Sequence, residues 1–291
     1  MGWAIACVLL MLGVGVLGAR AIMGRVCTDA KATADQNAGS QPYFTGLPAI
    51  LNIAHRGASK LAPEHSLRAY ELALEQGADV LELDLRRTRD GELIVAHDRT
   101  LERTLGSKSA FSELSVAELE ELAGARMPLL LDRVLTHFPT TRLNLELKDE
   151  DPAAARALAG ALAAHGAANR VLVASTHAAV LAEFRKATSG AVATSAATAE
   201  ALDYYFCYLM ERTCPAAYSA LQLPAFGWLG LTSAALIRHA HARGLMVHFW
   251  TIDEPERMRE LIAIGADGIM TNRPDVLTSV LTETEDSPLP P

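Results

Sequence analysis

The feature that most constrains the fold is a repeated alternation of short apolar segments with longer segments of helical period. Eight segments have the length and the Val, Ile and Leu content of β-strands, and Ala-, Leu- and Glu-rich stretches separate most of them. This alternation predicts parallel strands joined by right-handed helical crossovers. The predicted strands are ILNIA (50–54), VLELDL (80–85), LNLEL (143–147), VLVAS (171–175), AVAT (191–194), LQL (221–223), MVHFWTI (246–252) and GIM (268–270).

Eight such units in one domain predict an α/β fold, a (β/α)8 barrel of the TIM type. The chain of 291 residues is long enough for one such barrel with a large core. Chemistry in these barrels takes place at the C-terminal ends of the strands. Polar residues that end a predicted strand are therefore the candidate functional residues.

An uncharged apolar segment begins the chain. Residues 1–19 contain no charged side chain, and as a helix they would span roughly 28 Å, about one bilayer core. We predict a transmembrane or signal-anchor segment over residues 1–27. A cleaved secretory signal is the alternative, although no basic residue precedes the apolar run. Arg20 and Arg25 follow the run, so the positive-inside rule favours a single-pass membrane protein with a cytoplasmic catalytic domain.

Composition sets the remaining boundaries. Residues 28–46 are polar and small and predict a tether, residues 47–281 form the predicted barrel, and the acidic, Pro-rich residues 282–291 predict a disordered tail. Cys207 and Cys214 are near enough in sequence to pair if the domain is exported, and the sequence leaves this open. The formal net charge of -8 gives no reason to expect a nucleic-acid partner.

Carboxylates alternate with leucines in two of the predicted strands. Glu82 and Asp84 in VLELDL, and Glu146 in LNLELK, lie on the strand face opposite the leucines. Either they pair with arginines such as Arg86 or reach solvent, or they point into the barrel, where a cation must neutralise them. Three oxygen ligands favour Mg²⁺ or Ca²⁺ over structural Zn²⁺. Lys148 either pairs with Glu146 or binds an anionic ligand.

Two histidines accompany these carboxylates. His55 and Arg56 stand at the end of the first predicted strand. The Asp90-Gly91 pair predicts a two-residue hairpin turn, whose register places His97 opposite Asp84. Two imidazoles can serve as general acid and base, while a divalent cation and a guanidinium hold a phosphoryl group. The combination suits hydrolysis of a phosphate diester.

An ordered set of motifs resembles the glycerophosphodiester phosphodiesterases over about residues 50–280. The motifs are HRG, PEHS, ELDL, AHD, MPLLLDRVL, NLELK and GADGIMTNRP. The resemblance implies a barrel with an insertion after the hairpin, matching about residues 99–127. It also implies a set of site residues. These are His55 and His97 as the acid/base pair, Glu82, Asp84 and Glu146 as ligands of Mg²⁺ or Ca²⁺, and Arg56 and Lys148 as phosphate-binding residues.

One segment departs from the pattern of that family. Where the family usually has Pro-Glu-Asn-Thr, this chain has Pro-Glu-His-Ser, which includes Glu64 and His65. His65 is either a third histidine of the site or a tolerated polar replacement. Glu64 is either a substrate-lining residue or a carboxylate that favours the start of a helix.

The substrate class has two alternatives. The apolar N-terminus and the segments ALQLP (220–224) and HARGLMVHFWTID (241–253) are similar to the membrane-bound branch of the family, which acts as a lysophospholipase D. Trp250 then either lines the substrate entrance or packs in the core. The resemblance implies a glycerophosphodiester or a lysophospholipid as substrate. A non-catalytic phospholipid-binding barrel and a phosphatidylinositol-type lyase are further alternatives.

Overall fold

Eight parallel strands form the wall of a barrel in the computed structural model, which describes residues 41–213, 215–226 and 230–286. Every segment predicted as a strand is found as one, so the predicted barrel is confirmed. The strands, numbered in chain order with the hairpin strand β3 included, are β1 Leu51–His55, β2 Val80–Arg87, β3 Leu93–Val95, β4 Arg142–Leu147, β5 Val171–Ala174, β6 Ala193–Thr194, β7 Ala220–Pro224, β8 Met246–Trp250 and β9 Gly268–Thr271.

The strands follow the order β6-β5-β4-β2-β1-β9-β8-β7 around the wall, and each neighbouring pair is parallel. A parallel bridge between Ser195 and Ala220 joins the two ends of this order and closes the wall. We call the end at which the wall strands finish the mouth, and the end at which they start the floor. Because the wall strands run the same way, their C-terminal residues meet at the mouth.

Helices follow most of the wall strands and return the chain from the mouth to the floor. Side-chain caps fix where several of them begin: Ser66 Oγ accepts a hydrogen bond from Ala69 N at 3.1 Å, and Asp151 Oδ1 accepts one from Ala153 N at 2.9 Å. The α-helices are α1 Leu67–Glu75, α2 Glu102–Leu105, α3 Val116–Ala123, α4 Leu131–His137, α5 Pro152–Ala164, α6 Ala178–Ala187, α7 Thr198–Leu209, α8 Ala234–His241, α9 Pro255–Ala263 and α10 Pro274–Asp286.

Side-chain alternation gives β2 and β4 an apolar outer face and a polar inner face. The leucines of both strands are fully buried in the core between the wall and the helices. Glu82 and Asp84 of β2, and Asn144 and Glu146 of β4, lie on the opposite, inner face. The leucines are Leu81, Leu83, Leu85, Leu143, Leu145 and Leu147.

A tyrosine closes the floor. Tyr43 is only 2% exposed and packs with Leu172, Ala193 and Ala220, which lie at or next to the first residue of their strands. Arg142, the first residue of β4, donates a hydrogen bond from Nε to the Tyr43 carbonyl at 3.1 Å. The segment before β1 is therefore part of the barrel core.

The folded domain extends beyond the bounds of 47–281 expected from the sequence. Residues 41–45 lie at the floor, and α10 continues past the expected end. The expected membrane segment, residues 1–27, lies outside the described residues. In the described part of the chain, no helix has both the length and the apolar character needed to cross a bilayer. Cys207 is disulfide-bonded, and Cys214 lies outside the described residues.

An insertion with a small core of its own separates β3 from α4. Ile94 of the hairpin packs with Leu101, Phe111 and Leu119, all of which are buried. The insertion covers the region in which the family resemblance implies one. Since Ile94 belongs to β3, the insertion is fixed to the hairpin that leaves the mouth at β2.

Candidate active site

Three carboxylates converge at the mouth. Glu82 and Asp84 lie on the inner face of β2, and Glu146 lies beside Asp84 in the parallel register with β4. One oxygen from each of the three lies within 4.8 Å of the others. His55 is the register partner of Glu82 across β1 and β2. The structure thus brings one of the candidate histidines to the carboxylate cluster.

Asp84 is the most heavily bonded of these carboxylates. It is 1% exposed, and Lys148 Nζ lies 3.0 Å from its Oδ1. His65 Nε2 lies 3.0 Å from Oδ2, and Arg56 Nε lies 3.1 Å from the same oxygen without hydrogen-bond geometry. Burial alone would raise the pKa of Asp84. The hydrogen bond from His65 and the charges of Lys148 and Arg56 outweigh burial and hold that pKa well below its usual range.

Lys148 lies between two of the three carboxylates. Its Nζ lies 2.9 Å from Glu146 Oε2 as well as near Asp84, so the predicted pairing with Glu146 is present in the structure. Arg86, the arginine expected as an alternative partner of the β2 carboxylates, instead bonds Asp149 Oδ1 at 2.8 Å. The carboxylates of β2 are thus turned inward and are not paired with Arg86.

A tight turn at the end of β1 sends Arg56 back into the site. Arg56 has a φ of 58°, and its backbone N donates to Glu82 Oε2 at 2.9 Å. Gly57 follows with a φ of 81°, and a Cβ at this position would lie 2.7 Å from the carbonyl carbon of Ala69. Glycine is thus required both by the left-handed backbone and by the close approach of α1.

His65 is a member of the site. It is buried, and its Nδ1 lies 2.8 Å from the Tyr70 hydroxyl while Nε2 bonds Asp84. Its φ of 59° is the left-handed conformation, which Asn adopts more readily than most residues. The histidine therefore contacts a candidate metal ligand from a backbone position that suits an amide residue.

The ring of His55 is held by an amide of known orientation. Asn272 donates from N and Nδ2 to Asp253, so its Oδ1 faces His55 Nδ1 at 2.7 Å. His55 Nδ1 is therefore the donor, and Nε2 carries the lone pair. Burial first, and then the charge of Arg56, lowers the pKa of His55 to about 4. The imidazole is consequently neutral at pH 7.

The hairpin register expected from the sequence is wrong by one residue. The β2–β3 ladder pairs Leu85 with Val95, and Ala96 rather than His97 donates its backbone N–H to Asp84 O. The loop is longer than the two-residue turn that Asp90-Gly91 predicts. Thr88 N bonds Glu92 O, and Thr88 Oγ1 bonds both the Asp90 carboxylate and Glu92 N. These side-chain bonds stabilise the longer loop.

His97 consequently sits beyond the ladder, at the edge of the mouth. Its side chain is 38% exposed, and Nδ1 lies 2.8 Å from Asp98 Oδ1. A carboxylate at Nδ1 makes that nitrogen the donor and leaves Nε2 for a substrate. The carbonyl of His97 accepts hydrogen bonds from Arg86 Nε and Nη2, which fix the backbone at this residue.

Glu64 and Trp250 also lie at the mouth. Glu64 bonds Arg56 Nη1 through Oε2 at 3.3 Å, whereas α1 is capped by Ser66. Its contacts therefore favour a role at the site over a role at the helix start. Trp250 ends β8, the seventh strand of the wall, and is 42% exposed, so it is not a core residue.

Sequence analysis did not identify four residues that contact the candidate site residues. Tyr70 and Asn272 orient His65 and His55, and Asp98 and Arg103 continue the contacts of His97. Asp98 follows His97 directly, so adjacency was an available signal. Asn272 directly follows the last wall strand, where the barrel rule places functional residues. Arg103 lies within the insertion, and no local pattern distinguishes it.

Comparison with known proteins identifies the family. The glycerophosphoryl diester phosphodiesterase family model matches residues 55–276 of the chain. A protein of Mycobacterium tuberculosis named "probable glycerophosphodiester phosphodiesterase 2" is 31% identical, over 79% of this chain and 89% of its own length. A mouse protein named "lysophospholipase D GDPD3" is 28% identical, over 82% of this chain and 84% of its own.

Solved structures share the fold. A phosphodiesterase of Oleispira antarctica, solved in complex with the product sn-glycerol-3-phosphate, aligns with a TM-score of 0.66 at 24% identity. The alignment covers 81% of this chain and 97% of that one. A glycerophosphodiester phosphodiesterase of Agrobacterium tumefaciens aligns with a TM-score of 0.65 at 24% identity, over 78% and 98% of the two chains.

The family match spans most of the chain, and the relatives are covered over most of their length. The chain therefore belongs to the glycerophosphoryl diester phosphodiesterase family and is a phosphoric diester hydrolase.

Proposed function

We propose that the protein hydrolyses glycerophosphodiesters to an alcohol and glycerol 3-phosphate, using a divalent cation and two histidines. The observation that carries this proposal is the convergence of Glu82, Asp84 and Glu146 at the mouth, next to His55. A binding module has no need for an acid/base group beside such a cluster.

The carboxylates fit a hard divalent cation. Glu82 is 2% exposed, and burial, followed by the charges of Asp84 and Glu146, raises its pKa well above the usual range. Its ionised form needs a cation nearby, and three carboxylates are ligands that suit Mg²⁺ or Ca²⁺. When bound, such a cation polarises a phosphoryl oxygen and offsets charge that develops on it.

Arg56 and Lys148 are the proposed phosphate-binding residues. Both are largely buried at the mouth, and both extend to Asp84, the central carboxylate. A guanidinium and an ammonium beside the same carboxylate supply donors for two different phosphoryl oxygens. Glu64 holds Nη1 of Arg56 and thereby limits the directions in which the guanidinium can turn.

The partners of the two histidines favour different roles. Asn272, a neutral amide, bonds His55, and burial lowers the pKa of His55 to about 4, so its Nε2 is unprotonated at neutral pH and free to accept a proton from the nucleophile. Asp98, a carboxylate, bonds His97 Nδ1 and places a negative charge beside the ring that gives its proton to the leaving alcohol in this assignment. We therefore assign His55 as the general base and His97 as the general acid that protonates the leaving alcohol.

Two leaving groups test this assignment. On glycerophosphocholine, His55→Ala and His97→Ala are each expected to lower kcat by about 10²- to 10⁴-fold. With a p-nitrophenyl ester of glycerol phosphate, the leaving phenolate needs no proton. His97→Ala should then lose much less activity, whereas His55→Ala should lose as much as before. The opposite pattern would exchange the two roles, and full turnover in both variants would refute the mechanism. A chelator should abolish the wild-type rate on both substrates.

A lysophospholipase D activity that releases lysophosphatidic acid is the second candidate. Trp250 and Leu61 expose apolar surface at the mouth, 42% and 45% respectively, and a relative carries that activity in its name. Lysophosphatidylcholine and glycerophosphocholine should therefore be compared in one assay. Trp250→Ala is expected to reduce turnover of the lysophospholipid more than that of the deacylated diester.

We also propose attachment to a membrane through residues 1–27, with the catalytic domain on the cytoplasmic side. The support is the uncharged run of residues 1–19, followed by Arg20 and Arg25. Intact-mass analysis of protein from the membrane fraction tests the attachment. A chain that starts after the apolar run would show that the segment is cleaved.

A further inference from the structure

Arg103, on the short helix α2 of the insertion, contacts two carboxylates that belong to different parts of the mouth. Its Nε donates to Asp98 Oδ2, and its Nη2 donates to Glu64 Oε1. Each carboxylate uses its other oxygen on a candidate functional residue. Asp98 Oδ1 bonds His97 Nδ1 at 2.8 Å, and Glu64 Oε2 bonds Arg56 Nη1 at 3.3 Å.

One guanidinium therefore joins both sides of the proposed phosphate site. We propose that Arg103 is a positioning residue that sets the orientation of His97 and of Arg56 at the same time. This inference rests on the proposed function in naming His97 as the acid and Arg56 as the phosphate-binding residue. The insertion would then be an integral part of the site.

The chemistry of arginine suits this position. Its planar group presents donors in several fixed directions, so it can hold two carboxylates at a set angle, whereas lysine carries a point charge. The hydrogen bonds from His97 and Arg103 outweigh the effect of burial and lower the pKa of Asp98. Asp98 therefore remains an ionised acceptor at neutral pH.

Global stability is a poor alternative explanation for these contacts. The Arg103 side chain is 52% exposed, and exposed ion pairs contribute little to folding. The helix that carries it is fixed independently, because Leu101 is fully buried in the core of the insertion. His97 is itself 38% exposed, so packing restricts its ring weakly and Asp98 must orient it.

Arginine variants of the full chain test the inference by kinetics. Arg103→Met keeps the aliphatic stem and removes both contacts, so kcat should fall and KM should rise. A combined loss in kcat/KM of about 10- to 100-fold is typical of a residue that supports a functional group. Arg103→Lys can reach one carboxylate at a time and should recover part of the loss.

The matched control is Arg89→Met. Arg89 is 55% exposed and also bonds the insertion, through Glu118 and the carbonyl of Glu113, but it contacts neither Asp98 nor Glu64. This variant should keep wild-type kinetics. If Arg103→Met behaves like Arg89→Met, the inference is overturned.

Single substitutions separate the effect of Arg103 on His97, through Asp98, from its effect on Arg56, through Glu64. Asp98→Asn should lower mainly kcat, and Glu64→Gln should raise mainly KM. When Arg103→Met is combined with either substitution, the loss in kcat/KM should be smaller than the product of the two separate losses. The reason is that Arg103 and each carboxylate act on the same functional residue through the same hydrogen bonds. Fully multiplicative losses in both combinations would show that Arg103 does not act through Asp98 and Glu64.

An NMR measurement keeps the test independent of turnover. In ¹⁵N-labelled protein, neutral His97 should carry its proton on Nδ1, and Arg103→Met should give a mixture of tautomers while Arg89→Met should not. An unchanged His97 tautomer in Arg103→Met contradicts the inference even if the rate falls. A wild-type protein inactive on every diester would refute the proposed function, and the tautomer result would still decide the role of Arg103.

Discussion

Arg56 and His65 are joined through their backbones and meet again at one oxygen of Asp84. His65 N donates to Arg56 O at 3.1 Å, and both residues have left-handed backbones, with φ of 59° and 58°. Their side chains then approach Asp84 Oδ2 from 3.0 Å and 3.1 Å. Non-glycine residues in this conformation are uncommon, and here two of them lie beside the same candidate metal ligand.

The first prediction concerns His65 as a support for Asp84. His65→Leu removes the hydrogen bond, so the dissociation constant for Mg²⁺ or Ca²⁺ should rise by about 10- to 100-fold. His65→Asn should bind metal more tightly than His65→Leu, because Asn accepts the left-handed backbone and retains a donor. Titration calorimetry on chelator-treated protein measures both constants. Equal affinity in wild type and His65→Leu would show that Asp84 needs no such support.

A second prediction concerns the carboxylates themselves. Glu82→Gln, Asp84→Asn and Glu146→Gln each remove a charged oxygen ligand, so each should weaken metal binding more than His65→Leu does. The exposed Glu150, in the loop after β4, supplies the matched control Glu150→Gln. Metal titration and kcat should change together in the three variants and stay at wild-type values in the control. Retained metal affinity in any of the three would remove that residue from the ligand set.

The turn at the end of β1 gives a third prediction. A Cβ on Gly57 would meet the backbone of Ala69 at 2.7 Å, whereas one on Gly46 would meet nothing within 4 Å, and both glycines have positive φ. Gly46→Ala should therefore cost only the left-handed penalty, about 1–2 kcal/mol. Gly57→Ala should cost more, because the clash adds to it. Urea unfolding measures the loss of stability in each variant. Equal losses in the free energy of unfolding would show that α1 shifts to accommodate the methyl group at no cost.

Buried His248 predicts an acid-sensitive fold. It is 1% exposed, its Nε2 has no hydrogen-bond partner among the described residues, and burial lowers its pKa from 6.5 to about 4. Below pH 6.5 the unfolded chain takes up the proton first. The stability present above that pH is therefore lost as the pH falls toward 4. At about 1.4 kcal/mol per pKa unit, the loss is roughly 3 kcal/mol.

His248→Gln removes this titration. The slope of unfolding free energy against pH, between pH 6.5 and 4, should be shallower in the variant than in the wild type. His55 also has a pKa lowered to about 4, but it is present in both proteins and cancels in the comparison. Identical slopes would show that His248 does not contribute.

The wall and the carboxylates could be predicted from the sequence because both follow from alternation along a strand. Eight apolar segments placed the strands, and period two placed Glu82, Asp84 and Glu146 on the inner face. The hairpin register could not be predicted, since Thr88 stabilises a longer loop through side-chain bonds that the Asp-Gly pair does not reveal.

The contact of Asn272 with His55 and that of Arg103 with Glu64 are long-range and leave no local trace in the sequence. Asn272 lies 217 positions from His55, and Arg103 lies 39 positions from Glu64. Spacing could not decide whether His65 faces Asp84 or solvent, because that depends on a left-handed backbone held by Arg56. The family resemblance implies roles for the histidines, but their tautomers follow only from the hydrogen bonds that they make in the folded protein.

The tyrosine that closes the floor also marks the side on which the chain enters the barrel domain. The chain enters beside Tyr43, and α10 descends along β1 from the mouth, so that Thr278 bonds Gln76 O where α1 ends. Both ends of the barrel domain therefore leave from the side opposite the catalytic opening. A segment, an affinity tag or a fused domain at either end would therefore be joined to the domain on the side away from the catalytic opening. The points of attachment do not lie across the path of a diester into that opening.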